Sequence, residues 1–437
     1  MIALFNFNSY LGGGETVFTR WAEYLKSNNI DYRLFYSSGS FIDNELKRLR
    51  IDKTRLCPYC GNTNYYYQNK KERIKYIDWI CTQLNGYDNV KMVSFCMRDL
   101  YTLVDVAKSN SNFTITHLIL HDEDNLYACQ TLTDKLIQLC GGRRRFSNKK
   151  LLGFNNRLFR VLIDVGGLIA EKMTTKIVLS QYNIQIGDDI IVPPPMCVFK
   201  EQKPSVVNNG KIIWMGRIVD FKLPAICAML DFVIQHKKYS LTIVGDGETE
   251  YLNRYIDEHG GNCDNIFFKG TVPYNEIGQI IKQHSIGYAC GTSIVEIGKY
   301  GLPVITALAS PTHTLFERSI CGGVYNNKYK GNEGNNLFIG ETENDQPTIA
   351  ETMDLIESDF ENAAKQSYQA MKEDFDLIRN FEKYHHIVDN AKRIDYKDIK
   401  VPYSPMLKKL LFDVSDNIDF HSFNNIWLWI KKNNYNH

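Results

Sequence analysis

The chain has 437 residues, of which 44% are hydrophobic and 23% charged, and its formal net charge at pH 7 is +1. This length favours two domains over one, and the composition is typical of a globular protein rather than a disordered or fibrous one. No apolar run is long enough to span a bilayer, and residues 1–6 lack the basic start of a signal peptide, so we expect a cytoplasmic protein whose eleven cysteines are reduced.

Apolar runs alternate with longer amphipathic stretches from Met1 to about Val192. A glycine turn, Gly12-Gly13-Gly14, leads from the first predicted strand into a helical pattern, but it lacks the spacing of a dinucleotide fingerprint. The predicted strands are Ile2–Phe7, Tyr32–Tyr36, Val90–Phe95, Thr114–Leu120 and Lys176–Ser180. Strands separated by helices predict a parallel, doubly wound sheet, whose ligands bind beyond the carboxyl ends of its strands.

Basic residues exceed acidic ones in the first half of the chain, and the balance is reversed in the second half. The basic cluster comprises Arg143–Arg145, Lys149, Lys150, Arg157 and Arg160. Anionic membrane lipid or an acidic substrate would suit it, and the alternative is a solvated loop and helix face. Nucleic acid is not an expected partner, because the cluster is local and no recognisable binding module accompanies it.

Cys57-Pro58-Tyr59-Cys60 has the spacing of a redox motif or of half a zinc knuckle. A redox site needs a strand before the first cysteine and a helix starting on it, and the charged run Arg48–Arg55 does not predict that strand. A zinc knuckle needs a second pair of ligands, which the sequence lacks. We therefore expect incidental thiols.

Pro193-Pro194-Pro195 marks the predicted domain boundary, since three prolines fit neither a helix interior nor a central strand. A second alternating series follows it. Its predicted strands are Lys211–Met215, Ser240–Val244, Ile266–Lys269, Ile286–Ala289, Val304–Ala307 and Gly322–Tyr325. We expect a domain at 1–195, a second at 196–385 and a helical tail at 386–437.

The stretch from Cys290 to Ala307 predicts a turn, a short helix and a return strand. Ser293 would cap the helix with Glu296 closing a capping box, and Gly301 with Pro303 would end it. Free amides at such a helix start can bind a phosphate. The alternative is an ordinary capping box that binds nothing.

The C-terminal part is predicted to begin with a loop at residues 326–348, followed by helices from Ile349 to about Ile394. In the tail, Ile426–Ile430 places aromatic residues before Lys431 and Lys432. Such a stripe suits a membrane-surface helix, but packing onto the protein's own body is the expectation that we favour.

Four segments of the second half resemble, in order and spacing, the group 1 family of retaining glycosyltransferases, which have the two-domain GT-B fold. They are Met215–Lys222, Thr242–Glu248, Phe267–Val272 and Gly291–Ile305. In the first half, the Gly12–Glu15 turn, Val178–Ser180 and the triple proline match more loosely. The resemblance implies two doubly wound, Rossmann-like α/β domains that face each other across a cleft.

The resemblance also implies a site for a nucleotide-diphosphate sugar. Arg217 and Lys222 would bind the diphosphate, Glu296 would accept the two ribose hydroxyls, and His121 would lie near the transferred sugar, with His117 inside the strand before it. The other implied donor-binding residues are Gly13, Gly14, Gly216, Gly270, Val272, Gly291, Thr292 and Ser293. No cofactor and no metal are expected, because fixed cations and helix amides would stabilise the leaving nucleotide.

Two positions depart from the family pattern. The family's first glutamate would fall at position 288, which is Tyr288, and Leu223 stands where a glycine is usual after Lys222. Because that first acid normally lies beside the reacting sugar, the choice of sugar, and activity itself, depend on what replaces it.

The sequence therefore predicts a retaining glycosyltransferase for cell-surface polysaccharide or lipopolysaccharide synthesis. Its expected partners are a nucleotide-sugar donor and a saccharide or lipid-linked acceptor, with an anionic membrane surface as a candidate contact for Arg143–Arg145 at the inner face of the cell membrane. Two alternatives stay open: a catalytically silent relative that acts as a binding or scaffold subunit, and a nucleotide-sugar epimerase of the same fold.

Overall fold

The computed structural model describes residues 1–9, 12–110, 112–122, 124–131, 133–134, 145–260, 264–309, 315–326, 342–394, 396 and 398–402. Arg143, Arg144, most of the predicted loop at 326–348 and the tail from residue 403 lie outside this part of the chain. Contacts divide the protein into two units. The first comprises Met1–Glu171, Val178–Ile190 and the chain from Lys383 on, and the second comprises Lys172–Ile177 and Ile191–Glu382.

The first unit is built on a six-stranded parallel sheet of order β3-β2-β1-β4-β5-β6. Its strands are Ile2–Asn6 (β1), Tyr32–Ser37 (β2), Leu56–Tyr59 (β3), Lys91–Ser94 (β4), Thr114–Ile119 (β5) and Leu168–Ala170 (β6). Its helices are Gly13–Ser27 (α1), Phe41–Arg48 (α2), Lys70–Gln83 (α3), Met97–Ser109 (α4) and Lys149–Asp164 (α5), and Met173–Ser180 (α6) spans the division between the units.

The central strands β1, β4 and β5 are buried over almost their whole length, as is typical of parallel sheets covered by helices. All five residues of β1 are buried, and Phe5 lies in register with Phe35, onto whose ring it stacks at 4.2 Å. At the start of α3, Asn69 and Glu72 form a capping box.

The second unit is built on a five-stranded parallel sheet of order β11-β10-β7-β8-β9. Its strands are Lys211–Met215 (β7), Ser240–Val244 (β8), Ile266–Gly270 (β9), Ile286–Ala289 (β10) and Val304–Thr306 (β11). Its helices are Leu223–Gln235 (α7), Thr249–His259 (α8), Tyr274–Ile281 (α9), Ser293–Gly298 (α10), Ile349–Ser358 (α11) and Phe360–Phe375 (α12), while Leu377–Asn390 (α13) crosses into the first unit. Buried residues of alternate strand positions contribute to two hydrophobic clusters, one containing Trp214 and Tyr288 and the other Met215 and Met371.

The prediction of two doubly wound α/β domains is confirmed, with three differences in detail. The predicted strand Lys176–Ser180 is wrong, because these residues belong to α6, and Leu168–Ala170 forms the sheet edge instead. Strand β3 contains Cys57 and Pro58 and was not predicted; a proline is tolerated there because the strand lies at the other edge. The predicted strand Gly322–Tyr325 is reduced to an isolated bridge between Val324 and Ile305.

Helices α11, α12 and α13 confirm the prediction of helices between Ile349 and about Ile394. Among the described helices, none combines the length and the apolar character needed to cross a bilayer.

Candidate functional site

The second unit brings two loops together at the carboxyl edge of its sheet. Strands β7 and β10 are neighbours in the sheet although they are distant in sequence, and the chain order reverses between them. Ligands of doubly wound sheets bind in the crevice at such a reversal. The loop after β7 carries Gly216, Arg217 and Lys222. The loop after β10 carries Gly291 and Thr292, and Ser293 begins the helix that follows it.

Gly216, Lys222 and Ser293 converge at this crevice. A Cβ atom placed on Gly216 would lie 3.4 Å from Nζ of Lys222 and 3.8 Å from Oγ of Ser293. Gly216 has a φ of 149°, which a side chain disfavours, and its amide donates to the carbonyl of Val244 at 2.9 Å. An ammonium group and a hydroxyl therefore flank the half-buried backbone of Gly216, which is a suitable setting for a phosphate group.

Arg217 is exposed beside this group, and Lys222 is half-buried. Within the described ranges, neither cation forms an ion pair. The backbone amides of Gly291, Thr292 and Ser293 likewise donate no hydrogen bond to another described residue. The crevice therefore presents positive charge and hydrogen-bond donors, which an anionic ligand would satisfy.

Two further glycines hold the loop after β7 in place. Gly245 and Gly247 follow β8 with φ values of 141° and 137°. A Cβ atom on Gly245 would lie 2.1 Å from the carbonyl oxygen of Gly216, and one on Gly247 would lie 1.9 Å from that of Ile218. The amide of Ile218 in turn donates to Asp246 O at 2.8 Å. These contacts explain why the Gly245-Asp246-Gly247 segment needs glycine at both positions.

The predicted capping box at Ser293 is wrong. Thr292 is the N-cap residue of α10, with no hydrogen bond from its side chain to the helix, and Ser293 is the first helical residue. The Glu296 carboxylate instead accepts from the Lys299 ammonium one turn further on. The predicted helix stop is confirmed, since Gly301 follows α10 with a φ of 87°.

Tyr288 lies inside β10, away from the loop that carries Ser293. Its side chain is fully buried, and its hydroxyl donates to the carbonyl of Ala225 at 2.8 Å. Burial raises the pKa of this phenol well above its ordinary value. Position 288 is therefore a core position in this chain, and the connection from β10 to α10 is only Cys290, Gly291 and Thr292.

Gly270 and Val272 lie at the carboxyl end of β9, on the same sheet edge but two strands from β7. Gly270 has a φ of 63°, and the neighbouring Thr271 amide donates to the Asp246 carboxylate at 3.1 Å. Asp246 thus ties the loops after β8 and β9 together, which holds Gly270 and Val272 at the β9 end of this sheet edge.

In the first unit, Gly13 and Gly14 open helix α1 at the carboxyl end of β1. A Cβ atom on Gly14 would lie 2.5 Å from Cδ1 of Leu120, so a side chain at this position would have to displace the end of the Leu120 side chain. A Cβ atom on Gly13 would have no neighbour within 4 Å. Gly13 therefore faces open space at the carboxyl edge of the first sheet, and Gly14 packs against the end of β5.

His121 is exposed in the turn that follows β5, whereas His117 is fully buried within the strand. The two ring nitrogens of His117 are 2.9 Å from Ser94 Oγ and 2.8 Å from Asp124 Oδ2. Of the two histidines, only His121 is placed where it could meet a ligand.

A partly buried polar cluster at the carboxyl ends of β1 and β4 was not predicted. Glu15 accepts from Asn8 Nδ2 at 2.8 Å, and Asn8 Oδ1 accepts from Arg98 Nη2 at 2.9 Å. Burial raises the pKa of the Asp99 carboxyl, which lies beside Arg98. The available signal was the pair Arg98-Asp99 three residues after the predicted strand Val90–Phe95, since polar residues so close to a carboxyl end can face a ligand.

Comparison with solved structures shows the same two-domain fold. A glycosyltransferase from Rickettsia africae is 14% identical with a TM-score of 0.59, and the match covers 89% of this chain and 98% of that one. Anabaena HepE in complex with UDP is 14% identical with a TM-score of 0.57, covering 89% and 99%. Sucrose-phosphate synthase from Thermosynechococcus elongatus is 12% identical with a TM-score of 0.56, covering 89% and 98%.

No protein-family model matches the chain, and no curated protein does. At these low identities the structural likeness concerns the fold alone: the protein has the α/β architecture of GT-B proteins, with two doubly wound domains.

Proposed function

We propose that this protein is a glycosyltransferase that takes a sugar from a nucleotide-diphosphate sugar. One observation carries the proposal: the backbone of Gly216, the ammonium of Lys222 and the hydroxyl of Ser293 meet at the chain reversal between β7 and β10. This arrangement suits a diphosphate in a chain whose structural neighbours include HepE, solved with UDP. Function then follows from the site rather than from the fold.

In this proposal the diphosphate is held by fixed groups of the second unit. Lys222 and Arg217 would offset the negative charge that develops on the leaving nucleotide, and the amides and hydroxyls of Gly291, Thr292 and Ser293 would complete its hydrogen bonds. Glu296 would accept from the ribose hydroxyls, and Gly270 and Val272 would border the base. These groups would serve without a metal ion.

We propose transfer with retention of configuration, in which the acceptor hydroxyl attacks from the face that the diphosphate leaves. The departing phosphate oxygen would take the acceptor proton, so that no side chain need act as a general base. His121, at the end of β5, would contact the transferred sugar, and Gly13 and Gly14 would border the same ligand. The acceptor would be a saccharide or a lipid-linked saccharide.

Ligand-induced thermal stabilisation tests the donor site. UDP, ADP, GDP and their glucose conjugates are added without metal to the wild type and to Lys222→Gln. A ligand at one hundred times its dissociation constant adds about 2.7 kcal/mol, which raises Tm by roughly 5 to 10 °C. Lys211→Gln is the matched control. Lys211 is an exposed lysine at the start of β7, the end of that strand opposite to the loop with Lys222.

We expect one nucleotide to raise Tm in the wild type and in Lys211→Gln, with most of the shift lost in Lys222→Gln and in Arg217→Ala. If no nucleotide shifts Tm, or if Lys222→Gln responds like Lys211→Gln, the donor site is wrong. Release of the nucleotide from its sugar conjugate, with and without saccharide acceptors, then tests transfer itself.

A second candidate is a binding subunit without turnover. The observation that favours it is Tyr288, which packs in the core where the family places an acid, with only a short connection from β10 to α10. Nucleotide-induced stabilisation without release of nucleotide from any sugar conjugate would support this candidate over the transferase.

We also propose that helix α5 contacts anionic membrane lipid. Lys149, Lys150, Arg157 and Arg160 are exposed on this helix at spacings that bring them onto one face, and Arg145 is exposed just before it. Each such cation contributes about 1 kcal/mol near an anionic surface. Sedimentation with phosphatidylglycerol vesicles should be lost in Lys149→Glu/Arg157→Glu and at high salt, whereas binding to neutral vesicles would contradict the proposal.

A further inference from the structure

Three side chains of the first unit, Ser94, His117 and Asp124, form a continuous linear chain of hydrogen bonds. Ser94 and His117 are opposite each other in the register of β4 and β5, and Ser94 Oγ is 2.9 Å from Nδ1 of His117. On the other side of the ring, Nε2 is 2.8 Å from Oδ2 of Asp124. Ser94 and His117 have no exposed surface, and the Asp124 side chain is 13% exposed.

Each ring nitrogen of His117 has a partner with which it can form a hydrogen bond. A carboxylate without a proton can only accept, so the tautomer that carries its hydrogen on Nε2 donates to Asp124. In that tautomer Nδ1 accepts from the Ser94 hydroxyl. Both ring nitrogens are satisfied, and the ring is held in one orientation.

Asp124 connects this chain to the turn that presents His121. Its backbone amide donates to the carbonyl of His121 at 2.9 Å, which closes the turn directly after β5. The carboxylate of Asp124 is bonded to His117 in the strand, so the turn is tied to the sheet at a second point. His121 itself is exposed at the tip.

We propose that His117 is a positioning residue: with Ser94 and Asp124 it clamps the turn that holds His121 against the transferred sugar. The functional half of this inference rests on the proposed transferase activity, and the clamp itself does not. The serine, histidine and aspartate do not form a nucleophilic triad, because Ser94 is completely buried and no substrate can reach its hydroxyl.

Hydrogen exchange tests the clamp independently of activity. In His117→Gln, and in Asp124→Ala, amides of the segment 120–126 should exchange about tenfold faster than in the wild type, because the turn loses its partly buried hydrogen bond to His117. Asp124→Asn retains an acceptor of the same shape and should restore most of the protection. Ser94→Ala serves if His117→Gln does not fold.

His284→Gln is the matched control. His284 is a buried histidine of the second unit whose Nε2 is 2.8 Å from Thr242 Oγ1, so its replacement costs comparable packing without touching the clamp. Exchange of the segment 120–126 should be unchanged in this variant. Equal exchange of that segment in the wild type, His117→Gln and Asp124→Ala would overturn the clamp.

Release of UDP from UDP-glucose tests the functional half. We expect His117→Gln to lower kcat about as much as His121→Ala with little change in KM, and the double variant to lose no more than His121→Ala alone. Additive losses would show that His117 does not act through His121. If the wild type releases no UDP, the proposed transferase activity on this donor fails, and the exchange experiment alone decides the clamp.

Discussion

Replacing Gly247 by alanine is the sharpest test of how the candidate site is held together. Its φ is 137°, and the added Cβ atom would lie 1.9 Å from the carbonyl oxygen of Ile218. Backbone cannot yield as a flexible side chain can, so the loop after β7 must move. That loop is anchored at Ile218 by two backbone bonds, from its amide to Asp246 O at 2.8 Å and from the Glu248 amide to its carbonyl at 2.9 Å.

The expected cost has two parts. A non-glycine residue in this region of φ costs about 1 to 3 kcal/mol. Weakening two backbone hydrogen bonds costs about 1 kcal/mol each, which brings the total to about 3 to 5 kcal/mol. For a unit of this size, that lowers Tm by roughly 10 °C.

Differential scanning calorimetry on the full chain measures this loss, and Gly323→Ala is the control within the same unit. Gly323 also has a left-handed φ, of 75°, but an added Cβ atom would make only an ordinary contact, 3.6 Å from Cγ of Pro347. We expect it to cost about 1 to 2 kcal/mol, from strain alone. If Gly247→Ala is no more destabilising than Gly323→Ala, the clash with Ile218 is not real and the loop is held differently.

Three further predictions concern stability. Tyr288→Phe should cost about 1 kcal/mol through the lost hydrogen bond to Ala225. Tyr288→Glu, which introduces the acid that the group 1 glycosyltransferase pattern has at this position, should unfold the second unit because it buries a charge; calorimetry that finds a stable glutamate variant would place position 288 outside the core. Burial lowers the pKa of His284 below its ordinary 6.5, so the unfolded chain binds the proton more readily. The contribution of neutral His284 to the free energy of unfolding should therefore be fully present above about pH 6.5. Below that pH the free energy of unfolding should fall by at most about 1.4 kcal/mol per pH unit, and the fall should be smaller in His284→Gln. Equal pH profiles of the two proteins in denaturant titrations would refute this. Gly153→Ala should stabilise the protein by up to about 1 kcal/mol, because Gly153 is exposed within α5 and an added Cβ atom would meet nothing within 4 Å. A lower denaturant concentration at the midpoint of unfolding than in the wild type would contradict this prediction.

Much of the fold could be predicted because buried parallel strands leave continuous apolar runs in the sequence. Lys211–Met215 and Ser240–Val244 were predicted with the bounds that the structure has. Lys176–Ser180 was misassigned because a short apolar run such as Ile177-Val178-Leu179 fits a strand and a helix equally well. Strand β3 was missed because its proline and its charged approach argue against a strand except at an edge, and the sequence does not say which strands are edges.

The candidate site could be predicted only in part, since its residues come from distant segments. The loops with Lys222 and Ser293 meet because β7 and β10 are neighbours, and that strand order is a property of the whole sheet. The capping box failed because Glu296 faces Lys299 along the helix rather than the helix start. The role of Tyr288 could not be predicted, because spacing does not reveal that position 288 lies inside β10 with its side chain in the core.

The first unit is completed by the last described part of the chain. Trp21 of α1 donates to Nε2 of His385 at 3.0 Å and packs its ring against Tyr384, and Lys91 pairs with Asp389. During synthesis at about 5 to 20 residues per second, α13 emerges roughly 10 to 40 s after residue 190. The face around Trp21 therefore stays uncovered by α13 until the whole second unit has been synthesised. A ribosome that stalls within the second unit would leave this aromatic face open to chaperones, so the first domain to be synthesised would be the last to finish folding.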